Sequence, residues 1–207
     1  MTGRFLALGD SYTIGECVEP AGRWPAQLAA MLGEQRTAAP EIIAVTGWTT
    51  DDLMAAIAEA RPRGPYALVS LLIGANDQYQ GRPLEEYRPR LRALLAAAVG
   101  FAGGEASRVM VVSIPDWGVT PYAEGRDRAA IAREIDGYNA VAAEEAARAG
   151  ARWVDVTPIS RLPDGDGTRL ASDRLHPSGA QYAEWARAAL PHASAALGGG
   201  SIFQRAP

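Results

Sequence analysis

Short apolar runs along the chain alternate with longer stretches in which apolar residues recur every three or four positions. The first run, Phe5 to Leu8, has the length and continuity of a buried strand and breaks at Gly9. From about Trp24 to Leu32 the period changes. Leu28 and Met31/Leu32 share a helical face, and Gly33 stands where such a helix would stop. Ile42 to Val45 is a short, β-branched strand candidate. Thr49, Thr50, Asp51 and Asp52 then carry the capping chemistry of a helix start, for a helix running to about Ala60 and closed by Pro62, Gly64 and Pro65. Tyr66 to Ile73 is the most apolar strand candidate and ends at Gly74, which suits a central strand covered on both faces. A helix is predicted from about Leu84 to Val99, with Pro89 in its first turn or at a kink. Val109 to Ser113, ended by Pro115, predicts a fourth strand. A long helix from about Arg126 to Ala149, stopped by Gly150, leads to a fifth strand over Trp153 to Val156. A polar loop is expected from Pro158 to Ser172, then a last helix from Pro177 to about Leu190. Five strands with intervening helices predict an α/β fold, a three-layer α/β/α sandwich on a five-stranded, mainly parallel sheet.

Composition narrows the function classes. With 207 residues and 48% hydrophobic content, the chain can bury one sizeable core, and no repeat or linker divides it. A single domain over residues 1–197 is expected, with 198–207, which opens on three glycines, as a flexible tail. A net charge of −4 and a pI near 5.3 give no basic surface for nucleic acid. All 20 basic residues are arginine. The absence of lysine excludes a Walker-type phosphate loop, a pyridoxal Schiff base and lysine catalysis. Cys17 is the only cysteine, so an intramolecular disulfide, a zinc ribbon and a CxxC redox site are all excluded. There is no dinucleotide fingerprint, and two separate histidines make no metal cluster. Asp164-Gly165-Asp166-Gly167 lacks the ligand spacing and terminal Glu of an EF-hand and reads as a turn. Neither cofactor nor metal is expected. Without a charged-then-apolar leader or an 18-residue apolar span, the sequence as written is expected to be cytoplasmic and not an integral membrane protein. Removal of a signal peptide would make it periplasmic or secreted. Composition does not specify the oligomeric state.

The ends of the predicted strands carry the candidate chemistry. Ligands of open parallel sheets bind at the carboxyl edge of the strands, and Ser11 in Leu8-Gly9-Asp10-Ser11 falls there. The same tripeptide also has the composition of a plain turn in which Asp10 or Ser11 caps a helix. A nucleophilic serine needs a base, the base needs an orienting acid, and the developing oxyanion needs donors. His176 is the better base candidate, because His192 follows Pro191 at the end of the last helix, where a cation near carbonyl ends or simple exposure accounts for it. Asp173 precedes His176 by three residues, close enough for its carboxylate to reach Nδ1 and leave Nε2 for Ser11, while Pro177 favours an extended His176. The competing reading is a capping Asp with an incidental His. Gly47 has no side chain to shield its N–H, and Asn76 can aim its amide at the same oxygen; each also fits an ordinary turn. Trp48, Trp117 and Tyr122 follow strand ends and are candidate substrate-binding or core aromatics.

Taken together and in order, Gly9-Asp10-Ser11-Tyr12, Gly47, Gly74-Ala75-Asn76-Asp77 and Asp173-Arg174-Leu175-His176-Pro177 resemble the four blocks of the SGNH/GDSL family of ester hydrolases. The resemblance implies a flavodoxin-like sandwich and a serine esterase working through a covalent acyl-enzyme without cofactor. It casts Ser11 as nucleophile, His176 as base and Asp173 as its orienting acid. The oxyanion hole would comprise the Ser11 and Gly47 N–H groups and the Asn76 side chain. Tyr12 stands where the family's Gly-Asp-Ser-Leu version has leucine, a departure that bears on substrate fit. No Gly-x-Ser-x-Gly elbow is present. The implied partner is a small-molecule ester, with short acyl groups favoured: the long connections, Pro115 to Gly125 and Pro158 to Ser172, offer no apolar lid, and Trp48 would crowd a long chain if its ring faces the acyl pocket. An acyltransferase, a lysophospholipase or thioesterase on the same residues, and a binding protein with a silent pocket are the alternatives.

Overall fold

The computed structural model describes residues 2–163, 165 and 167–198. Five strands, β1 (Phe5–Gly9), β2 (Glu41–Ala44), β3 (Leu68–Leu72), β4 (Val109–Val112) and β5 (Arg152–Val154), form one sheet in the order β2-β1-β3-β4-β5. Every pairing is parallel, with Leu8 opposite Ile43 on one side and Leu71 on the other. All residues of β1, β3 and β4 are buried, which is why those three runs are apolar without alternation except at Ser70 of β3. The edge strands β2 and β5 are partly exposed and correspondingly mixed in sequence.

The helices are α1 (Ser11–Ile14), α2 (Trp24–Leu32), α3 (Thr50–Ala60), α4 (Ala75–Tyr79), α5 (Leu84–Phe101), α6 (Arg128–Ala149), α7 (Thr157–Ser160) and α8 (Gly179–Ala196). Helix α2 packs along α8, while α5 packs between α3 and α6. Right-handed crossovers place these two groups on opposite faces of the sheet, giving the three layers. Trp24, Leu28, Trp185 and Tyr182 fill one interface; Leu53, Tyr87, Leu91 and Ile135 belong to the same continuous core. The helix start expected at the Thr49 to Asp52 cluster is where α3 begins, and it takes the form of a capping box. The Thr49 side chain accepts from the Asp52 N–H, and the Asp52 carboxylate accepts from the Thr49 N–H.

Several expected boundaries move. Helix α8 does not stop near Leu190 but runs through Pro191 to Ala196. Proline can hold a helical φ at the cost of one N–H bond, and the turn beyond it is retained because Ala193 is buried and Ala196 and Leu197 pack on the core. His192 is therefore inside the helix and partly buried; burial, then the nearby Arg152, pushes its imidazole below the usual value, contrary to the expected cation or exposed side chain. Pro89 lies in the second turn of α5 rather than the first, so the carbonyl of Glu85 loses its helical donor. The expected loop from Pro158 begins inside α7, and β3 is followed by α4 rather than by loop alone. The Gly198 N–H closes the last helical turn on the Ala195 carbonyl at 3.3 Å. Residues 199–207, most of the expected tail, lie outside the described residues, as do Asp164 and Asp166 of the expected turn.

Candidate active site

Strand order reverses between β1 and β3, and the segments leaving those two strands flank the crevice that results. Gly9 ends β1 where a Cβ would lie 2.1 Å from Thr13 Oγ1 and 2.5 Å from the Leu72 carbonyl, so only glycine permits the chain to turn that tightly into α1. Asp10 then caps α1, its Oδ1 accepting from the Tyr12 N–H at 3.0 Å. Ser11 is the first helical residue. The turn-and-cap chemistry and the hydroxyl at the strand edge, competing readings of the sequence, are thus met by adjacent residues.

His176 arrives from the far end of the chain. Its loop is held by a bridge between Leu170 and Pro177 and by two backbone bonds, Ala171 N–H to the His176 carbonyl and Ser178 N–H to the Arg169 carbonyl, both 2.8 Å. His176 is buried, and its Nε2 lies 2.8 Å from Ser11 Oγ. On the other side of the ring, Nδ1 lies 2.6 Å from Asp173 Oδ2. Asp173 Oδ1 accepts from the N–H groups of Leu175 and His176, each at 3.0 Å. Partial burial works against the Asp173 charge, but the imidazole bond and these two N–H bonds outweigh it and hold the carboxyl below its ordinary range. An anion so placed fixes the imidazole with Nδ1 protonated and leaves Nε2 able to accept the serine proton.

The third and fourth segments meet the first two. Gly47 has φ +86°, a conformation that strains any side-chain-bearing residue, and opens toward free space. The N–H groups of Gly47 and Ser11 donate to no group among the described residues. Asn76, in the first turn of α4, donates one amide hydrogen from Nδ2 to the Trp48 carbonyl at 2.9 Å, which orients the amide and leaves its second hydrogen unspent. Next to it, buried Asp77 accepts from the Thr50 N–H at 3.0 Å and the Thr50 hydroxyl at 2.7 Å, clipping α4 to the loop that carries Gly47. Burial raises the Asp77 pKa, only partly offset by Thr50 and Arg82.

Ser11, Gly47, Asn76 and His176 line one pocket of about 190 Å³, together with Trp117. Trp48 does not line it: its ring packs on the core, and only its carbonyl reaches the site, through Asn76. The condition under which Trp48 would crowd a long chain, a ring facing the pocket, is therefore not met, and of its two readings the core aromatic is the one the structure has. Tyr12, Thr46, Ala75, Tyr79, Tyr122 and Leu175 complete the wall. Tyr12 lies against the His176 ring, with centroids 5.0 Å apart. Sequence reasoning missed Tyr79, Leu175 and the Asp77 clip. Leu175 and Asp77 were legible only as neighbours of motif residues, and nothing marked Tyr79. Among the described residues, no group of three or more His, Cys, Asp or Glu side chains converges as a metal site, and no helix is long and apolar enough to cross a membrane.

Residues 7–184 match the model of the GDSL-like lipase/acylhydrolase family. No curated protein matches the chain. Among solved structures, a variant of an acetyl-xylooligosaccharide esterase from Geobacillus stearothermophilus superposes with a TM-score of 0.69 at 23% identity, over 92% of this chain and 94% of that one. Phospholipase A1 from Streptomyces albidoflavus NA297 gives 0.68 at 21% identity, over 94% and 99% of the two chains. A structure named TesA gives 0.67 at 19% identity, over 93% and 99%.

Proposed function

The chain belongs to the GDSL-like lipase/acylhydrolase family and is a carboxylic ester hydrolase, and from that premise we propose that Ser11 is its nucleophile, His176 its general base and Asp173 the anion that supports the imidazolium. The observation that carries this assignment is the unbroken chain of contacts from Asp173 Oδ2 through the imidazole to Ser11 Oγ, 2.6 and 2.8 Å long. As Oγ attacks the ester carbonyl, its proton passes to Nε2. The carbonyl oxygen becomes anionic and accepts from the Ser11 N–H, the Gly47 N–H and the free amide hydrogen of Asn76, donors already in place before the charge develops. Collapse of the tetrahedral intermediate returns the proton from Nε2 to the departing alcohol and leaves an acyl-serine. Water activated by the same imidazole then repeats the attack and releases the acid. Mass spectrometry after organophosphate treatment tests the assignment: modification at Ser11, lost when His176 is replaced by alanine, supports it, and modification elsewhere with Ser11 untouched refutes it.

The favoured substrates are esters of short acyl groups. The pocket, about 190 Å³, is smaller than the roughly 300 Å³ at which drug-sized ligand pockets begin. Its wall is closed by the indole of Trp117 and the phenol rings of Tyr79 and Tyr122. The connection after β4, which in a lipase could carry a lid, is folded into two short 3₁₀ turns, Trp117–Val119 and Pro121–Ala123, that bring Trp117 and Tyr122 to that wall. Because a methylene contact changes selectivity by only about 1 kcal/mol, kcat/KM should decline in graded fashion from acetyl and butyryl to octanoyl aryl esters. Measured below any micelle threshold, a steady rise from acetate to decanoate would refute the short-chain preference.

A further inference from the structure

One side of the pocket is built from three aromatic rings, Trp117 meeting Tyr79 and Tyr122 nearly edge to face and the two phenols tilted at 42° to each other. The Tyr79 and Trp117 centroids are 5.5 Å apart, Trp117 and Tyr122 6.1 Å, and Tyr79 and Tyr122 6.4 Å. The two phenol hydroxyls touch at 3.2 Å. Trp117 is fixed from behind, its Nε1 donating to Gln78 Oε1 at 2.7 Å, with Gln78 in turn held by Glu134. Tyr79 and Tyr122, by contrast, are 44% and 46% exposed. Large apolar surface left in the open at a pocket mouth marks a contact surface for a ligand.

Over these rings lies one guanidinium. The Arg126 Cζ is 5.0, 5.3 and 5.8 Å from the Tyr79, Trp117 and Tyr122 centroids, and one of its Nη2 hydrogens goes to the Tyr79 hydroxyl at 3.0 Å. An exposed arginine ordinarily samples many rotamers. Three rings and a hydrogen bond hold this one, so little further ordering is lost when it binds a ligand. No carboxylate among the described residues pairs with it, in a chain with a net charge of −4. The adjacent Asp127 caps α6 through the Ala130 N–H instead. The remaining N–H groups of the guanidinium form the planar fork that suits a carboxylate. No second basic side chain joins Arg126 over these rings, which favours a singly charged group over a phosphate dianion.

We propose that Arg126, with Tyr79, Trp117 and Tyr122, forms a subsite of the hydrolase for esters whose non-reacting part is an aromatic ring bearing a carboxylate. The ring lies against the aromatic wall, and the carboxylate meets the guanidinium at its rim. The subsite rests on the hydrolytic reading of the pocket, but its recognition step can be measured apart from turnover.

The test compares 4-acetoxybenzoate with its neutral isostere 4-acetoxybenzamide. Binding to the Ser11→Ala protein is followed by calorimetry, and hydrolysis by the wild type is measured in parallel. A charge-assisted contact at a partly exposed site should favour the carboxylate about tenfold in Kd, and the preference should shrink as salt is raised. Arg126→Gln in the same background should bring the ratio to about one, while Arg126→Lys, which keeps the charge but not the fork, should retain part of it. Equal affinity for the two esters, or a preference that survives Arg126→Gln, overturns the subsite. Discrimination in binding without hydrolysis by the wild type overturns the subsite as a site for substrate esters, while the catalytic assignment is decided separately by organophosphate labelling of Ser11.

Discussion

Replacing Asp10 by asparagine should make the protein more stable above neutral pH. The Asp10 carboxyl is fully buried one residue before Ser11. Oδ1 accepts from the Tyr12 N–H, but Oδ2 has no hydrogen-bond partner among the described residues. Burial pushes this carboxyl up to about 7, against the lowering effect of the Tyr12 N–H and with a further push from the Asp77 charge. In the unfolded chain the same group titrates near 3.9. Between those two values the native state holds a proton that the unfolded state has released, so stability falls as pH rises from about 4 to about 7 and levels off above. A shift of about three pH units corresponds to about 4 kcal/mol lost by pH 8. Asparagine keeps the Oδ1 acceptor and cannot ionise, but it places an unpartnered amide where Oδ2 was, which costs about 1–3 kcal/mol. The net gain at pH 8 is therefore about 1–3 kcal/mol, or roughly 2–12 °C in Tm for a chain of this size. At pH 4 the sign reverses, because wild-type Asp10 is then protonated in the native state and about half protonated in the unfolded chain, so only about 0.5 kcal/mol of the ionisation loss has set in and the amide penalty outweighs it. Differential scanning calorimetry of both proteins from pH 4 to pH 8 isolates the effect, since all other titrating groups are common to the two. Melting curves that shift in parallel, with a constant difference in Tm across that range, would refute the argument.

Two predictions concern the catalytic assignment. Ser11→Ala and His176→Ala should each lower kcat by about 10⁴-fold or more, and the double variant should be little worse than either, because the two groups act as a unit. Additive losses in a kinetic cycle would show that they act separately. Asn76→Ala should cost on the order of 10² to 10³ in kcat with KM nearly unchanged, since its free amide hydrogen meets charge that develops only on the way to the transition state. A variant raised in KM alone would mean that Asn76 binds the ground state.

The parts of the site legible in the sequence are those whose role is tied to the end of a strand. Gly9, Gly47 and Gly74 each punctuate an apolar or β-branched run, and Asp173 and His176 sit at a spacing that a single loop turn can exploit. Once the sheet is parallel and the order is β2-β1-β3-β4-β5, these segments must gather on one edge, whatever the exact strand limits. That is why errors of one to several residues in the elements, including the lost end of α8, left the convergence of Ser11, Gly47, Asn76 and His176 unaffected. Where the prediction depended on a local rule alone it failed: Pro191 looked like a helix end because the burial of Ala193 against the core cannot be read from its neighbours.

Trp48 and Tyr79 mark the limit more sharply. Trp48 directly follows the glycine of the second block and was a candidate pocket residue, yet sequence adjacency to Gly47 does not decide which way the ring points. Its ring goes to the core and its carbonyl to Asn76. Tyr79 lies three residues beyond Asn76, so α4 presents both along one helical face toward the same pocket. That periodicity applies only if Gly74-Ala75-Asn76-Asp77 is the start of a helix rather than a turn, and α4 is five residues long, too short for hydrophobic periodicity to reveal it. What makes so short a helix persist is tertiary: Asp77 is clipped to Thr50, Gln78 to Trp117 and Arg82 to Asp51. The Gln78–Trp117 bond therefore both fixes the aromatic wall and ties down the helix that carries Asn76, and a Gln78 substitution that leaves the core intact should disturb substrate selection and kcat together.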